Sequence, residues 1–173
     1  VLCGCGSEPD FVTVDGTMLG TTLHVVADVK GVSRQRLYAA VMELDREAKA
    51  SMSIYDSTSL VSRLNRNETD STDALFQKMY AMALQVNRKT EGAFDITVGP
   101  LVNAWGFGFK QNSFPDSARI DTLRQFVGMD LLTLTEGKLQ KKYPEITLDA
   151  SSIAKGLGVY LGAEDFERKG LND

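Results

Sequence analysis

The stretch LDASSIAKGLGVY, residues 148–160, carries the main evidence for the fold, because it joins a predicted strand to a predicted helix. Asp149 ends a segment with the pattern of a buried strand, and Ser151 lies where a helix would begin. Gly156 and Gly158 follow in the first turns of that helix, where each glycine costs roughly 1 kcal/mol relative to alanine. A helix that begins this way indicates either close packing or a functional use of its terminus.

The same helix start offers groups that bind phosphate and metal ions. Ser152 and Lys155 are three residues apart and share a helix face. The free N–H groups of a helix N-terminus attract anions, a serine hydroxyl can ligate Mg²⁺, and a lysine can neutralise phosphate. The alternative is structural: Ser151 caps the helix, Asp149 favours its dipole, and Lys155 is solvated. The pattern alone leaves both interpretations open.

Hydrophobic periodicity predicts the other elements. The predicted strands are 11–16, 21–29 and 145–149, with a hairpin over 131–142 that turns at Glu136-Gly137. The predicted helices run from a Ser33 cap to about Ala50, from a Thr72 cap to Gly92, and over about 151–169. The apolar faces of the first two are Leu37, Ala40, Val41, Leu44 and Ala48, and Leu75, Met79, Met82, Ala83 and Val86. This order favours an α+β fold with a mixed or antiparallel sheet and packed helices.

Composition limits the function classes. The chain has 173 residues, is 43% hydrophobic and carries a net charge of −4, which suits a globular domain or part of one. Lysine and arginine form no large cluster, so nucleic-acid binding is not expected. The sequence contains no apolar run long enough to span a membrane.

The two cysteines lie together at the N-terminus. A closed zinc site at Cys3 and Cys5 is poorly supported, because His24 is the only histidine. The sequence Leu2-Cys3-Gly4-Cys5 instead resembles a bacterial lipobox, with Cys5 as the lipidated residue and residues 1–10 as lipoprotein terminus and tail. Export and a lipid anchor would follow, although a frayed terminus remains the alternative.

Two further stretches have chemical potential. SMSIYDSTSLVSRLN (51–65) places Tyr55 in a polar loop, where it could stack on a flat ligand or simply complete a turn. EGAFDITVGPLVNAWGFGF (91–109) is rich in glycine and aromatic residues and has Asp95 within an apolar run. Buried acids are uncommon unless they are paired or bound to a ligand. The glycines are not a dinucleotide fingerprint, because they lack its spacing.

Four stretches in order resemble the ApbE flavin transferases, or FAD:protein FMN transferases. They are MLGTT (18–22), MSIYD (52–56), GAFDITVGPLVNAWGFG (92–108) and LDASSIAKG (148–156), and the third is long enough to be specific. The resemblance implies an ApbE-like, T-fold-related architecture over residues 11–173. It also implies binding of FAD and Mg²⁺, with transfer of FMN to a threonine or serine hydroxyl of a target protein and release of AMP. The targets include subunits of respiratory redox pumps, and many members are periplasmic lipoproteins.

The resemblance also assigns site residues. Leu19 matches a methionine that touches the flavin nucleotide, or Met18 takes that place if the turn shifts by one residue. Ser152 matches a hydroxyl ligand of Mg²⁺, and Lys155 stands near FAD where some members have glutamate. The remaining positions that match FAD contacts are Tyr55, Ala93, Phe94, Asp95 and Asp149. No catalytic residue is assigned.

The resemblance places this chain in the N-terminal portion of a longer family domain. The C-terminal part, expected to contain an acidic D-x-x-x-[TS] motif with further Mg²⁺ ligands, has no equivalent in residues 1–173. Two alternatives to FMN transfer remain. One is an FAD pyrophosphatase that forms FMN and AMP, and the other is a periplasmic lipoprotein that binds flavin without chemistry.

Overall fold

A computed structural model describes residues 11–28, 33–107 and 114–168. Its elements are β1 (Phe11–Met18), β2 (Thr21–Asp28), α1 (Arg34–Met52), α2 (Leu60–Asn65), α3 (Ala74–Lys89), α4 (Gly99–Ala104), α5 (Ser117–Arg124), β3 (Leu132–Thr135), β4 (Lys138–Lys141) and α6 (Ser151–Arg168). The chain divides into two compact units, here called unit 1 (1–47 and 156–173) and unit 2 (48–155). Predicted features at Cys5, residue 29, residues 108–109 and residue 169 lie outside the described residues.

Unit 1 contains the predicted N-terminal hairpin. Strands β1 and β2 pair antiparallel from Phe11 opposite Asp28 to Met18 opposite Thr21. The two turn residues, Leu19 and Gly20, have φ angles of 50° and 75°. Two consecutive positive φ values are typical of a type I′ turn, whose twist matches that of the flanking strands.

The core of unit 1 forms between this hairpin and the long helices. Val14, Leu37 and Ala40 are buried together, and partly buried side chains of the hairpin and of Phe166 pack against them. The predicted apolar face of α1 is confirmed, since Leu37, Ala40, Val41, Leu44 and Ala48 are all buried. Ser33 caps the helix as predicted by accepting a hydrogen bond from the Arg36 N–H.

The two glycines of α6 differ in their surroundings. A Cβ at Gly158 would lie 3.1 Å from Met18 Cε and 3.2 Å from Leu19 Cδ1. The expectation of close packing is therefore confirmed at Gly158, since these contacts leave little room for a larger residue. It is wrong at Gly156, where a Cβ would meet no described atom within 4 Å outside the helix backbone.

Unit 2 contains short helices that the sequence pattern did not predict, namely α2, α4 and α5. Each of them has six to eight residues, too few for a clear 3.6-residue periodicity. Their starts do carry recognisable signals. Ser59 and Asp116 are N-caps, and Pro100 lies in the first turn of α4.

The predicted cap of α3 is wrong by one residue. The Asp73 carboxylate, not the Thr72 hydroxyl, accepts from the Phe76 N–H at 2.7 Å. Thr72 instead donates from its N–H and its hydroxyl to the Gly137 carbonyl, so its side chain holds the β3–β4 turn. The apolar face of α3 includes the predicted Met79 and Ala83 together with Phe76 and Tyr80, all of them buried.

The hairpin of β3 and β4 is confirmed, with Glu136 and Gly137 at φ 51° and 74°. The predicted strand over 145–149 is wrong, because only Thr147 makes a ladder contact, a single parallel bridge to Val98. The side-chain amide of Asn65 takes the place of a neighbouring strand by pairing with both the N–H and the carbonyl of Leu148. The α+β class, with antiparallel hairpins and packed helices, agrees with the prediction.

Within the described ranges, none of the helices has the length and apolar character needed to cross a membrane.

Candidate functional site

A cavity of about 310 Å³ lies within unit 2. Its walls come from four segments: the loop 54–57, helix α2 with residue 66, helix α4, and the segment 147–149 that leads into α6. The cavity is at the small end of the range for ligand pockets, so it suits one moiety of a dinucleotide rather than the whole. It brings together Tyr55 and Asp149, two of the residues predicted to contact FAD.

Serine hydroxyls fix the loop that carries Tyr55. The Ser53 hydroxyl accepts from the N–H groups of Tyr55 and Asp56, both at 3.2 Å. The Ser53 carbonyl accepts from the hydroxyls of Ser59 and Ser62 at 2.5 and 3.2 Å. These bonds tie the loop to the first turn of α2 and leave the Tyr55 side chain 72% exposed. An exposed, well-supported ring on a cavity wall is suited to stacking on a flat ligand.

Asp56 completes the same loop. Its carboxylate accepts from the hydroxyl and the N–H of Thr58 at 2.7 and 2.8 Å. These two hydrogen bonds hold the pKa of Asp56 below its ordinary value. The carboxylate therefore stays ionised at neutral pH, and its hydrogen bonds to Thr58 stabilise the turn that follows Tyr55.

The opposite wall is the segment that precedes α6. The two hydrogen bonds of the Asn65 amide to Leu148 measure 2.9 and 2.7 Å, and the Asp149 N–H donates to the Ile96 carbonyl at 2.7 Å. Asp149 is half-buried, and its carboxylate accepts from the Ser151 N–H at 2.8 Å. Ser151 is therefore the first residue of α6 and not its cap, and the Asp149 carboxylate satisfies the N–H of that first residue.

Gly99 and Thr147 make the tightest contact of the wall. A Cβ at Gly99 would lie 2.5 Å from Thr147 Oγ1 and 2.7 Å from the Thr147 carbonyl oxygen. Only glycine fits here without a shift of backbone. The Thr147 hydroxyl is buried against this glycine and has no hydrogen-bond partner among the residues that the structure describes.

Arg66 supplies positive charge at the cavity edge. Its guanidinium binds Glu68 through two hydrogen bonds of 2.7 and 2.8 Å and donates to the Ser57 carbonyl at 2.7 Å. The hydrogen bonds to Glu68 raise the pKa of Arg66 and lower that of Glu68. Glu68 therefore orients the guanidinium, and the third bond ties Arg66 to the tyrosine loop.

Asp95 is engaged with the protein itself. Its Oδ1 accepts from the N–H and hydroxyl of Thr97, and its Oδ2 accepts from the Met129 N–H at 3.0 Å. The Thr97 hydroxyl in turn accepts from the Gly128 N–H at 2.7 Å. This network explains a half-buried acid in an apolar run by internal pairing, and contact of Asp95 with FAD stays a prediction.

Ala93 and Phe94 follow α3 in a tight turn. Glu91 and Gly92 have φ angles of 53° and 85°, and the Asn87 side chain donates to the Phe94 carbonyl at 2.7 Å. Ala93 is exposed and Phe94 is half-buried. Neither lines the 310 Å³ cavity, so their predicted contact with FAD would involve another part of the ligand.

Ser152 and Lys155 are exposed in the first turns of α6, and both belong to unit 2. Leu19 is a half-buried residue of unit 1 and lies in the turn described above. Over the described ranges, no three His, Cys, Asp or Glu side chains come close enough together to hold a metal ion. A role of Ser152 as a Mg²⁺ ligand stays a prediction.

Asn65, Arg66 and Asn103 line the cavity but were not predicted. Asn65 is the last residue of the SMSIYDSTSLVSRLN stretch, and Arg66 follows it directly. Both lie at the end of α2, a short helix that the sequence pattern did not predict. An Asn-Arg pair after an apolar run at the end of a loop motif is the only signal that the sequence offers.

A supported aromatic ring, a guanidinium and a side-chain amide thus lie around one cavity. The chain belongs to the ApbE family, whose sequence profile matches residues 19–173. It is 35% identical to the FAD:protein FMN transferase of Haemophilus influenzae, over 96% of this chain and 52% of that protein. The corresponding Vibrio cholerae enzyme is 32% identical, over the whole of this chain and 54% of its own length.

Solved structures agree with this assignment. The flavin transferase ApbE from Vibrio cholerae superposes with a TM-score of 0.85 at 31% identity, over 94% of this chain and 55% of that one. The apo form of the Pseudomonas stutzeri flavinyl transferase ApbE gives 0.83 at 26% identity, over 92% and 56%. The chain thus spans about half the length of the relatives that it matches.

Proposed function

We propose that this chain forms part of an enzyme that transfers FMN from FAD to a threonine or serine hydroxyl of a target protein. Its support is the family membership together with one structural observation: Tyr55 and Asp149, from motifs 94 residues apart by their numbering, lie on one cavity. The names of the relatives supply the reaction class, since they are called FAD:protein FMN transferases.

In the proposed reaction the acceptor oxygen attacks the phosphorus on the FMN side of the FAD pyrophosphate. A new phosphoester bond forms, the bond to the bridging oxygen breaks, and AMP leaves with that oxygen. The hydroxyl proton passes to a general base. This chain would contribute binding and orientation: the Tyr55 ring would hold a flat moiety, and the positive end of the α6 dipole would lie toward phosphate oxygens.

Mg²⁺ fits this proposal through the chemistry of the donors. When bound, it would neutralise charge on the pyrophosphate. The exposed Ser152 hydroxyl is a hard oxygen donor of the kind that Mg²⁺ prefers. Lys155 is exposed one turn further along α6, where its ammonium would face phosphate oxygens of the same nucleotide.

The test uses the complete protein that contains this chain, with FAD, Mg²⁺ and a candidate acceptor such as a redox-pump subunit. We expect the acceptor to gain the mass of FMN, with one AMP released for each FMN transferred. An acceptor whose target hydroxyl is removed by substitution to alanine or valine is the matched control.

Two other outcomes would contradict FMN transfer. Free FMN and AMP without a labelled acceptor would show a pyrophosphatase. Tight FAD binding without AMP release would show a flavin-binding protein that lacks chemistry.

We also propose that the protein is exported and anchored by lipid on Cys5, at the periplasmic face of a bacterial membrane. The support is the Leu2-Cys3-Gly4-Cys5 sequence, which resembles a lipobox. Such a location would place the enzyme beside membrane-bound redox subunits as acceptors.

A further inference from the structure

The turn between β1 and β2 is built from an unfavourable residue. Leu19 occupies the first position of a type I′ turn with φ 50°. Asparagine, aspartate and glycine are the residues that favour this position, because the left-handed conformation crowds a larger side chain. A leucine is retained there only if the surrounding structure holds it.

Asp45 holds the turn from the backbone side. Its carboxylate is only 4% exposed and accepts from the Leu19 N–H at 2.8 Å, although the two residues are 26 positions apart. The strand pairing ends at Met18 and Thr21, so the Leu19 N–H lies outside the ladder. A buried acid needs hydrogen-bond partners, and a charged acceptor makes this bond stronger than a neutral one.

Helix α6 contacts the side chains of the turn at Gly158. The methyl ends of Met18 and Leu19 lie just over 3 Å from the place where its Cβ would be. Helix α6 therefore leaves space for these two side chains, and the turn is fixed by α1 on its backbone and by α6 on its side chains. Asp45, Gly158 and the turn all belong to unit 1.

We propose that Asp45 is a positioning residue for the flavin nucleotide, acting through the Leu19 turn. This inference rests on the proposed function and on the predicted contact of Leu19 with the flavin nucleotide. If the turn is already held in its binding conformation, no binding free energy is lost in ordering it when the ligand binds. Without Asp45 the Leu19 backbone would populate other conformations, and the apparent affinity for FAD would fall in proportion to the fraction of molecules that remain competent to bind.

The experiment compares Asp45→Ala, which removes the acceptor, with Asp45→Asn, which keeps a neutral one. Val41→Ala is the matched control, because Val41 is 4% exposed on the same helix and makes no bond to the turn through its side chain. FAD affinity by calorimetry, unfolding by urea and hydrogen exchange of the Leu19 amide are measured for each variant of the complete protein.

We expect Asp45→Ala to weaken FAD binding roughly five- to tenfold and to speed exchange of the Leu19 amide. Asp45→Asn should recover most of the affinity. Val41→Ala should lower stability and leave affinity and exchange unchanged. If Asp45→Ala does not fold, Asp45→Asn tests the inference instead. It should then show a small but measurable loss of FAD affinity relative to wild type, together with faster exchange of the Leu19 amide.

Unchanged FAD affinity in the Asp45 variants would overturn the inference. It would also be overturned if Val41→Ala lost as much FAD affinity as Asp45→Ala while the two variants were equally stable. Failure of the proposed function looks different, because the wild-type protein itself would then not bind FAD. That result would remove both proposals at once.

Discussion

Tyr55 is exposed on a cavity wall while the backbone around it is tied by Ser53, Ser59 and Ser62. If its ring stacks on a moiety of FAD, Tyr55→Ala should weaken binding by about tenfold, since base–aromatic stacking is worth roughly 1–3 kcal/mol. Tyr55→Phe, which keeps the ring, should bind nearly as well as wild type. Calorimetry with FAD distinguishes them, and equal affinities for all three proteins would make Tyr55 an ordinary turn residue.

Ser152 and its neighbour Ser151 provide a matched pair for the metal prediction, since both are exposed in the first turn of α6. If Ser152 ligates Mg²⁺, Ser152→Ala should raise the Mg²⁺ concentration needed for half-maximal FMN transfer, and excess Mg²⁺ should restore part of the rate. Ser151→Ala should leave the Mg²⁺ midpoint in place. A Mg²⁺ titration of activity checks this, and identical midpoints for wild type and Ser152→Ala would exclude the ligand role.

At this scale the sequence predicts residues whose chemistry is local. Tyr55 and Asp149 could be found because they lie within recognisable motifs, and both line the cavity. Asn65 could not, because its function depends on Leu148, which is 83 residues away. Asp45 was missed for the same reason, since nothing near it in sequence shows that it reaches the Leu19 N–H.

Among the elements, helix α6 offers a direct test of how glycine is used. Gly156→Ala should stabilise the protein by about 0.5–1 kcal/mol, because alanine favours the helix and meets no neighbour within 4 Å in the described structure. Gly158→Ala gains the same helix propensity but must displace the ends of Met18 and Leu19. Urea unfolding of the two variants should therefore show a clearly lower stability for Gly158→Ala than for Gly156→Ala, and equal values would contradict the packing.

Lys141 joins three segments of unit 2. Its ammonium donates to the carbonyls of Leu64 and Ile146 at 3.0 and 2.9 Å, and to that of Pro144 at 3.4 Å. Lys141→Met keeps the length of the side chain but leaves these carbonyls without the ammonium, so we expect a loss of about 1–2 kcal/mol in unfolding free energy. Lys138→Met is the control, because Lys138 lies on the same strand as Lys141 but is exposed, and its ion pair with Asp70 is a surface interaction of little energy.

The same lysine gives a pH dependence with a definite sign. Burial lowers the pKa of Lys141 below its usual value of 10.5. Between the folded and the unfolded pKa the unfolded chain binds more protons, so the contribution of Lys141 to stability rises with pH in that window. The difference in unfolding free energy between wild type and Lys141→Met should grow as pH approaches 10.5, and a difference that shrinks would contradict the burial.

Long elements were predictable and short ones were not. The 3.6-residue spacing in α1 and α3 specifies one apolar face over about three turns. The structure buries the predicted face of α1 completely. In α3 it buries Met79 and Ala83, while Leu75, Met82 and Val86 are half-buried. The segment 145–149 has a strand-like pattern because it is buried, yet its hydrogen bonds go to a side-chain amide and to the Ile96 carbonyl. Sequence pattern reports burial and alternation, and it cannot tell which group satisfies the backbone.

For the whole molecule, the family match and the N-terminal motif together lead to a prediction about location. The precursor should be processed so that the mature protein begins at Cys5 with acyl chains attached. A single acyl chain gives only reversible membrane binding, so stable anchoring of the protein requires more than one acyl group. Cys3 lies two residues upstream and has the same side chain, which makes it the natural control.

Cys5→Ala should move the protein from the membrane fraction to the soluble fraction, whereas Cys3→Ala should leave it in the membrane fraction. Mass spectrometry of the purified wild-type protein should find acyl groups on Cys5. An unmodified N-terminus that extends upstream of Val1 in the membrane-bound protein would contradict the prediction. FMN transfer by Cys5→Ala to a soluble acceptor domain should match that of wild type, because the anchor serves location and the described cavity lies within residues 54–149.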